Sequence, residues 1–216
     1  HDYLTKGSLK RLGAAIEREL KDAGVRREHR IAIDKIQHLN RVLRAIRNVN
    51  QLIVTEKDRE RLLERATEML VETRGYMSAL CVHLDDNQQP DIVARSLAKE
   101  IDTKPSREAI RTHGLTACMK RALDSDEVVE IRRDAPECGG CPLASTCPDT
   151  PRLARGLAHD GKAHGLLVIA LPEGVGTDAE EIDLLEEMAG DIAFALHGIE
   201  SDRLHKESLE RFRVIT

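Results

Sequence analysis

Cys138, Cys141 and Cys147 form a Cys-x2-Cys-x5-Cys pattern in a short segment that also holds Gly139, Gly140, Pro136, Pro142 and Pro148. A loop of that composition bends readily, so several thiolates can be turned toward one point. Such a cluster either binds metal or remains free thiols. A structural zinc ion wants four ligands and an iron–sulfur cluster usually wants four thiolates, so a fourth must come from elsewhere, with Cys118, His113, His159 and His164 as the candidates. In the free-thiol reading Cys138 and Cys141 are reversibly oxidisable, while Cys118 and Cys81 are small core residues. Thioredoxin-type exchange needs a strand–helix–strand setting that the flanking sequence lacks. A c-type haem needs a histidine where Pro142 stands.

Other motifs carry less. His205-Lys206-Glu207-Ser208-Leu209 lacks the acidic residue after the histidine and the proline that a phosphoacceptor box has, so His205 reads as a solvated helix residue. Gly174-Val175-Gly176 lacks the third glycine of a dinucleotide loop and reads as a turn. Paired carboxylates in a strand-end setting, His-Glu-x-x-His and a nucleophile elbow are all missing, so no enzyme is expected.

The whole chain narrows the classes further. Of 216 residues, 33 are basic and 38 acidic, a net charge of −5. That mixture offers no clustered basic surface for nucleic acid or an anionic membrane. Tyr3, Tyr76, Phe194 and Phe212 are too few and too scattered to make base-stacking platforms. Apolar residues make up 41%, enough for a real core, and no apolar run approaches a bilayer crossing. The expectation is a cytoplasmic protein, and the start at His1 suggests a piece of a longer one.

The elements that must position the cysteines follow from periodicity. Ser8 is a plausible cap for a helix with Leu9, Leu12, Ile16 and Leu20 at helical spacing. From Val25 to about Thr55 neither glycine nor proline interrupts, and Ile36, Leu39, Leu43, Ile46, Asn50 and Ile53 step as a heptad seam, which fits a parallel coiled coil or a surface helix. A further helix spans about 58–73 and ends at Gly75. Residues 79–84 and 92–97 read as strands joined by a polar turn, 115–123 as a short helix and 128–131 as a strand. Residues 153–159 and 163–171 flank Asp160-Gly161, a hairpin signal, and the second of these strands, apolar throughout 166–171, should be central. Thr177-Asp178-Ala179-Glu180 reads as a capping box opening a long helix with a seam at Leu185, Ala189, Ile192, Leu196 and Ile199. That seam turns polar at Arg203 and Lys206.

This order of elements resembles a GAF domain of a bacterial two-component sensor, of receiver–GAF–PAS type. Glu137-Cys138-Gly139-Gly140-Cys141-Pro142-Leu143-Ala144 resembles the Cys-x-x-Cys-Pro-Leu signature of one GAF subgroup. The stretches 115–123, His164-Gly165-Leu166-Leu167 and 191–196 are similar to other segments of it. Asp2-Tyr3-Leu4-Thr5-Lys6 resembles the last strand of a receiver domain, with Lys6 at its active-site lysine. Glu207 to Arg213 resembles the lead-in to a PAS domain. The resemblance implies an α+β fold, a GAF-like central antiparallel sheet with flanking helices and long N- and C-terminal signalling helices. It divides the chain into a receiver end (1–24), a signalling helix (25–56), the GAF domain (57–200) and an exit helix (201–216). It also puts Cys118 first among the candidates for a fourth ligand with Cys138, Cys141 and Cys147, and it implies a small-molecule site near residues 106–147 with His83, His113 and Arg121 beside it. The function expected is non-catalytic signal relay in a parallel homodimer, by a small ligand or by the cysteine loop; the alternative is a zinc, iron–sulfur or thiol redox sensor.

Overall fold

Asp58 starts the helix that leads into the sheet. Its carboxylate accepts the Arg61 backbone N–H at 2.9 Å, and Gly75, in the left-handed region at φ 75°, closes the far end. Helix α1 (Arg59–Arg74) runs between them and buries Leu62, Leu63, Ala66 and Leu70. In this computed structural model the described residues are 19–27, 29, 33, 52, 55–97, 104–132, 134–144, 147, 149–172, 174 and 176–214. The chain falls into two units, His1–Leu43 and Arg44–Thr216. In the first, residues 19–27 are helical and exposed, with Arg26 and Glu19 paired at 3.5 Å. The receiver-like opening and the whole of the predicted heptad seam, Asn50 included, lie outside the described residues.

Five strands form one sheet in the order β2-β1-β5-β4-β3, every neighbouring pair antiparallel: β1 Ser78–Leu84, β2 Pro90–Leu97, β3 Val129–Ile131, β4 Arg152–His159 and β5 Lys162–Ala170. The uninterrupted apolar run of β5 sits in the middle because only a strand covered on both faces tolerates such a sequence. Alternation then sorts the sheet into two faces. Leu80, Val82, Leu84 and Leu166 pack with Ile110, Met119 and Leu143 on one. Cys81 and His83 point to the other, where His83 Nε2 lies 3.3 Å from Arg59 Nη1 of α1.

Three more helices lie among the described residues of this unit: α2 (Lys104–His113), α3 (Ala117–Leu123) and α4 (Ala179–Val214). Helix α2 was not expected from sequence, because its only apolar residues, Ala109 and Ile110, draw no stripe. Helix α4 is a single rod of 36 residues, about 54 Å long. Two expectations about α4 are corrected. Its cap is Asp178, which accepts the Glu181 backbone N–H at 2.9 Å, one residue later than the predicted Thr177. Its seam is core: Leu185, Ala189, Ile192 and Leu196 are at most 1% exposed within this one chain, covered by the sheet.

Glu181, three residues after that cap, turns its side chain away from the helix end. Its carboxylate accepts from Arg74 Nη2 and from the Tyr76 hydroxyl, each at 2.7 Å, with all three side chains buried. Burial, countered in part by Arg74, raises the Tyr76 phenol well above its usual range, so it stays a donor. At Gly165 a side chain has no room, since a Cβ there would lie 1.9 Å from the Val82 carbonyl oxygen.

Two stability outcomes follow, both read by urea unfolding. Glu181→Ala strands a buried guanidinium and should cost about 3–5 kcal/mol, whereas Tyr76→Phe removes one hydrogen bond and should cost about 1–2 kcal/mol. Equal costs would mean that the ion pair is solvated. Gly165→Ala must push β1 from β5 and should destabilise by about 1–3 kcal/mol or more; a neutral result would refute the close approach.

Candidate functional site

The face of the sheet away from α4 carries a cavity of about 110 Å³. Its apolar wall comes from alternating strand residues and α3: Leu80, Val168, Ile131 and Met119, closed by Leu143 of the cysteine loop. Around it stand Cys118, Cys138, Cys141 and Cys147, joined by Arg95, Arg152, Ser78 and Thr116. Three local devices bring the thiols there. A 3-10 turn at Pro136–Cys138 begins the loop, with Gly140 at φ 79° reversing its direction. The Cys147 backbone N–H then donates to the Leu143 carbonyl at 3.0 Å. Cys118 arrives separately, on the first turn of α3, with Sγ 3.2 Å from Thr116 Oγ1.

The electrostatics are unusual for an apolar pocket. Arg152 is buried, donates through Nη2 to Cys138 Sγ at 3.7 Å, and leaves its Nε without a hydrogen-bond partner. Arg95 enters from β2 and donates to the Ser106 hydroxyl. Burial pushes the Cys147 thiol up, while Arg152 and Arg95 pull it back toward ionisation. Two guanidiniums beside four thiols favour an anionic guest or thiolate chemistry. Among the described residues no three of these sulfur atoms lie within 4.8 Å of one another, wider than the roughly 3.8 Å edges of a zinc–thiolate tetrahedron.

The cysteines named from sequence therefore share one cavity. The other named residues do not line it. His83 is turned to the opposite face by strand alternation, and His113 ends α2 exposed to solvent. Arg121 is exposed as well, donating to the Glu130 carbonyl at 3.2 Å. His159 and His164 group instead with His197 of α4. Sequence reasoning missed Arg95 and Arg152. The one available signal was an arginine at an inward position of a strand, as at Arg152, two residues before the inward Ala154.

The GAF domain family matches residues 56–197. Three solved structures share the fold. The GAF domain of the phosphoenolpyruvate-protein phosphotransferase from Coxiella burnetii is 15% identical, with 76% of this chain and 96% of that chain covered and a TM-score of 0.59. The free methionine-R-sulfoxide reductase of Neisseria meningitidis is 12% identical over 74% and 91%, with a TM-score of 0.57. The GAF domain of the cyanobacteriochrome TePixJ is 19% identical over 68% and 94%, with a TM-score of 0.55. No curated protein matches the sequence significantly.

Burial separates the thiols chemically. Cys81 is fully enclosed, which pushes its thiol up to about 12, while the other four are partly accessible. A thiol-reactive chromogenic disulfide at pH 8 should count four thiols in the native protein and a fifth only in denaturant; five native thiols would contradict this packing. Because the folded state holds the Cys81 proton to higher pH than the unfolded chain, its stabilising contribution is complete below about pH 8.5 and is lost as pH rises toward 12.

Proposed function

The chain belongs to the GAF domain family, and we propose that it is a non-catalytic sensory module of a bacterial two-component protein whose input is the thiol-lined cavity and whose output is α4. The observation that carries this reading is the convergence of Cys118, Cys138, Cys141 and Cys147 with Arg95 and Arg152 on one cavity. A fold shared with a cyanobacteriochrome and a methyl-accepting chemotaxis protein agrees with a signalling role. One relative of the same fold is a reductase. The cavity supplies thiols and cations but no imidazole or carboxylate among its lining residues to act as a base, so we read it as a receptor.

The route outward is short. Val168 lines the cavity from the central strand, and β5 leads to α4 through a brief connection from Leu171 to Asp178. Modification of the loop alters the packing around Val168, and α4 lies against the other face of the same sheet. A second reading, in which the four cysteines hold an iron–sulfur cluster or a metal, draws on the same convergence. Visible absorption with iron and sulfide analysis of anaerobically purified protein separates the two.

The test of the module is mild, reversible oxidation of the cavity thiols, followed by amide hydrogen exchange along α4. Oxidation should change protection in its first turns by about fivefold or more, the scale of an allosteric coupling, and reduction should restore it. Unchanged exchange in α4 after complete oxidation would defeat the relay.

We also propose that α4 pairs with its counterpart in a parallel homodimer. Leu204 and Leu209 are each 52% exposed, beyond the part of the helix that the sheet covers. Leu204→Asp with Leu209→Asp should shift sedimentation from dimer to monomer; a wild-type monomer at micromolar concentration would end this proposal.

A further inference from the structure

A second constellation lies on the α4 side of the sheet, at the tip of the β4–β5 hairpin. Asp160 and Gly161 make its two-residue turn, both in the left-handed region, at φ 49° and 75°. That turn places His159 and Asp160 side by side, with His159 Nε2 3.8 Å from Asp160 Oδ2. His197 reaches them from α4, its ring centre 5.0 Å from that of His159. Donor atoms of His159, Asp160 and His197 all lie within 4.8 Å of one another, the only such group among the described residues.

The surroundings organise these rings. Phe194, one helical turn before His197, meets His159 edge to face at 5.3 Å. A register shift between Leu157 and Ala158 leaves His164 as the extra residue of β5, and its ring lies 5.5 Å from that of His197. His164 is 1% exposed; its Nδ1 faces the Glu200 carboxylate at 3.4 Å and its Nε2 is buried without a hydrogen-bond partner. Lys162 holds Glu200 at 2.7 Å and Asp86 at 2.9 Å, so Glu200 has a structural explanation. The grouping of three imidazoles is not accounted for by that ion pair, which reaches only the Nδ1 of His164.

We propose that His159, Asp160 and His197 bind a divalent transition-metal ion of the zinc type, clamping the hairpin tip to α4. Two imidazoles and one carboxylate suit a borderline metal better than calcium or magnesium, which prefer all-oxygen sets. The exposed Asp160 leaves an approach from solvent and a position for water. The ring of His164, with its unpartnered Nε2, belongs to the same cluster and would be a buried polar neighbour of that ion's shell. This site is separate from the cysteine cavity and does not depend on how the cavity is read. Its consequence is a restraint on α4 about midway along its length, where the sheet stops covering it.

The experiment titrates the full chain with Zn2+ by calorimetry and with Co2+ by visible absorption. The expected result is one ion per chain, a cobalt spectrum without thiolate-to-metal charge transfer, and a rise in thermal stability. His197→Asn and, separately, Asp160→Asn should each weaken binding by more than about tenfold, because even loss of an outer partner of a metal ligand has that size. Asp160 is exposed and Asn tolerates the left-handed conformation, so that variant keeps the fold. Three outcomes would overturn the proposal: no binding at micromolar metal, binding unchanged in both variants, or a cobalt spectrum showing thiolate ligation alone. The last would place the metal at the cysteines and leave the cavity reading standing.

Discussion

The buried carboxylate of Glu181 holds together the parts of this molecule that must move or stay put as one. It takes hydrogen bonds from Arg74, the last residue of α1, and from Tyr76, just before β1, and it sits in the first turn of α4. Two stretches of chain, residues 74–76 and the first turn of α4, lie 105 or more residues apart in sequence and thus meet at one charge. Stripping water from that charge is expensive, and only the pair of 2.7 Å contacts offsets the cost. The arrangement therefore has one good geometry. A shift of α4 along its axis disturbs its contacts to the end of α1 and to the approach to β1 together, so its first turn moves only with them.

Two faces of one sheet then divide the work. The side bearing Leu80 and Val168 is hollow and carries the thiols and guanidiniums; the side bearing Cys81 is filled by helices. Strand β5 belongs to both, and at Gly165 it approaches β1 so closely that its backbone cannot slip sideways. In the proposed relay, a disturbance on one face of a sheet pinned at its centre would reach the other face as strain in the close-packed interior.

The strands, the hairpin and both long helical segments of the folded unit were legible because each has a strong local signature: the apolar run of β5, Asp160-Gly161, the Gly75 stop. Helix α2 was hidden because it buries little beyond Ile110. The meeting of Cys118 with the cysteine loop was legible through family resemblance and loop composition. Arg95 and Arg152 were not, since a charged side chain in a strand declares its face only once register is known, and register depends on partners distant in sequence. His83 misled for the same reason. The seam of α4 misled differently: spacing reveals that a stripe will be buried, and says nothing about whether the chain's own sheet or a second copy buries it.

That last ambiguity has a structural resolution within α4 itself. As far as Leu196 the helix is committed to its own domain, and from Ser201 to Arg211 almost every residue is exposed. The first part has its rotation set by Leu185, Met188, Ile192 and Leu196 against the sheet. The later part has only a local ion pair, Arg203 to Glu207 at 2.6 Å, and two exposed leucines. An exposed ion pair of this kind contributes little, on the order of 0.3–0.5 kcal/mol. One continuous helix therefore joins a segment whose orientation is dictated by the sheet to one whose partner is open. In the proposed relay, a rotation imposed near Glu181 or His197 would reach the far end through the continuous backbone of this one helix.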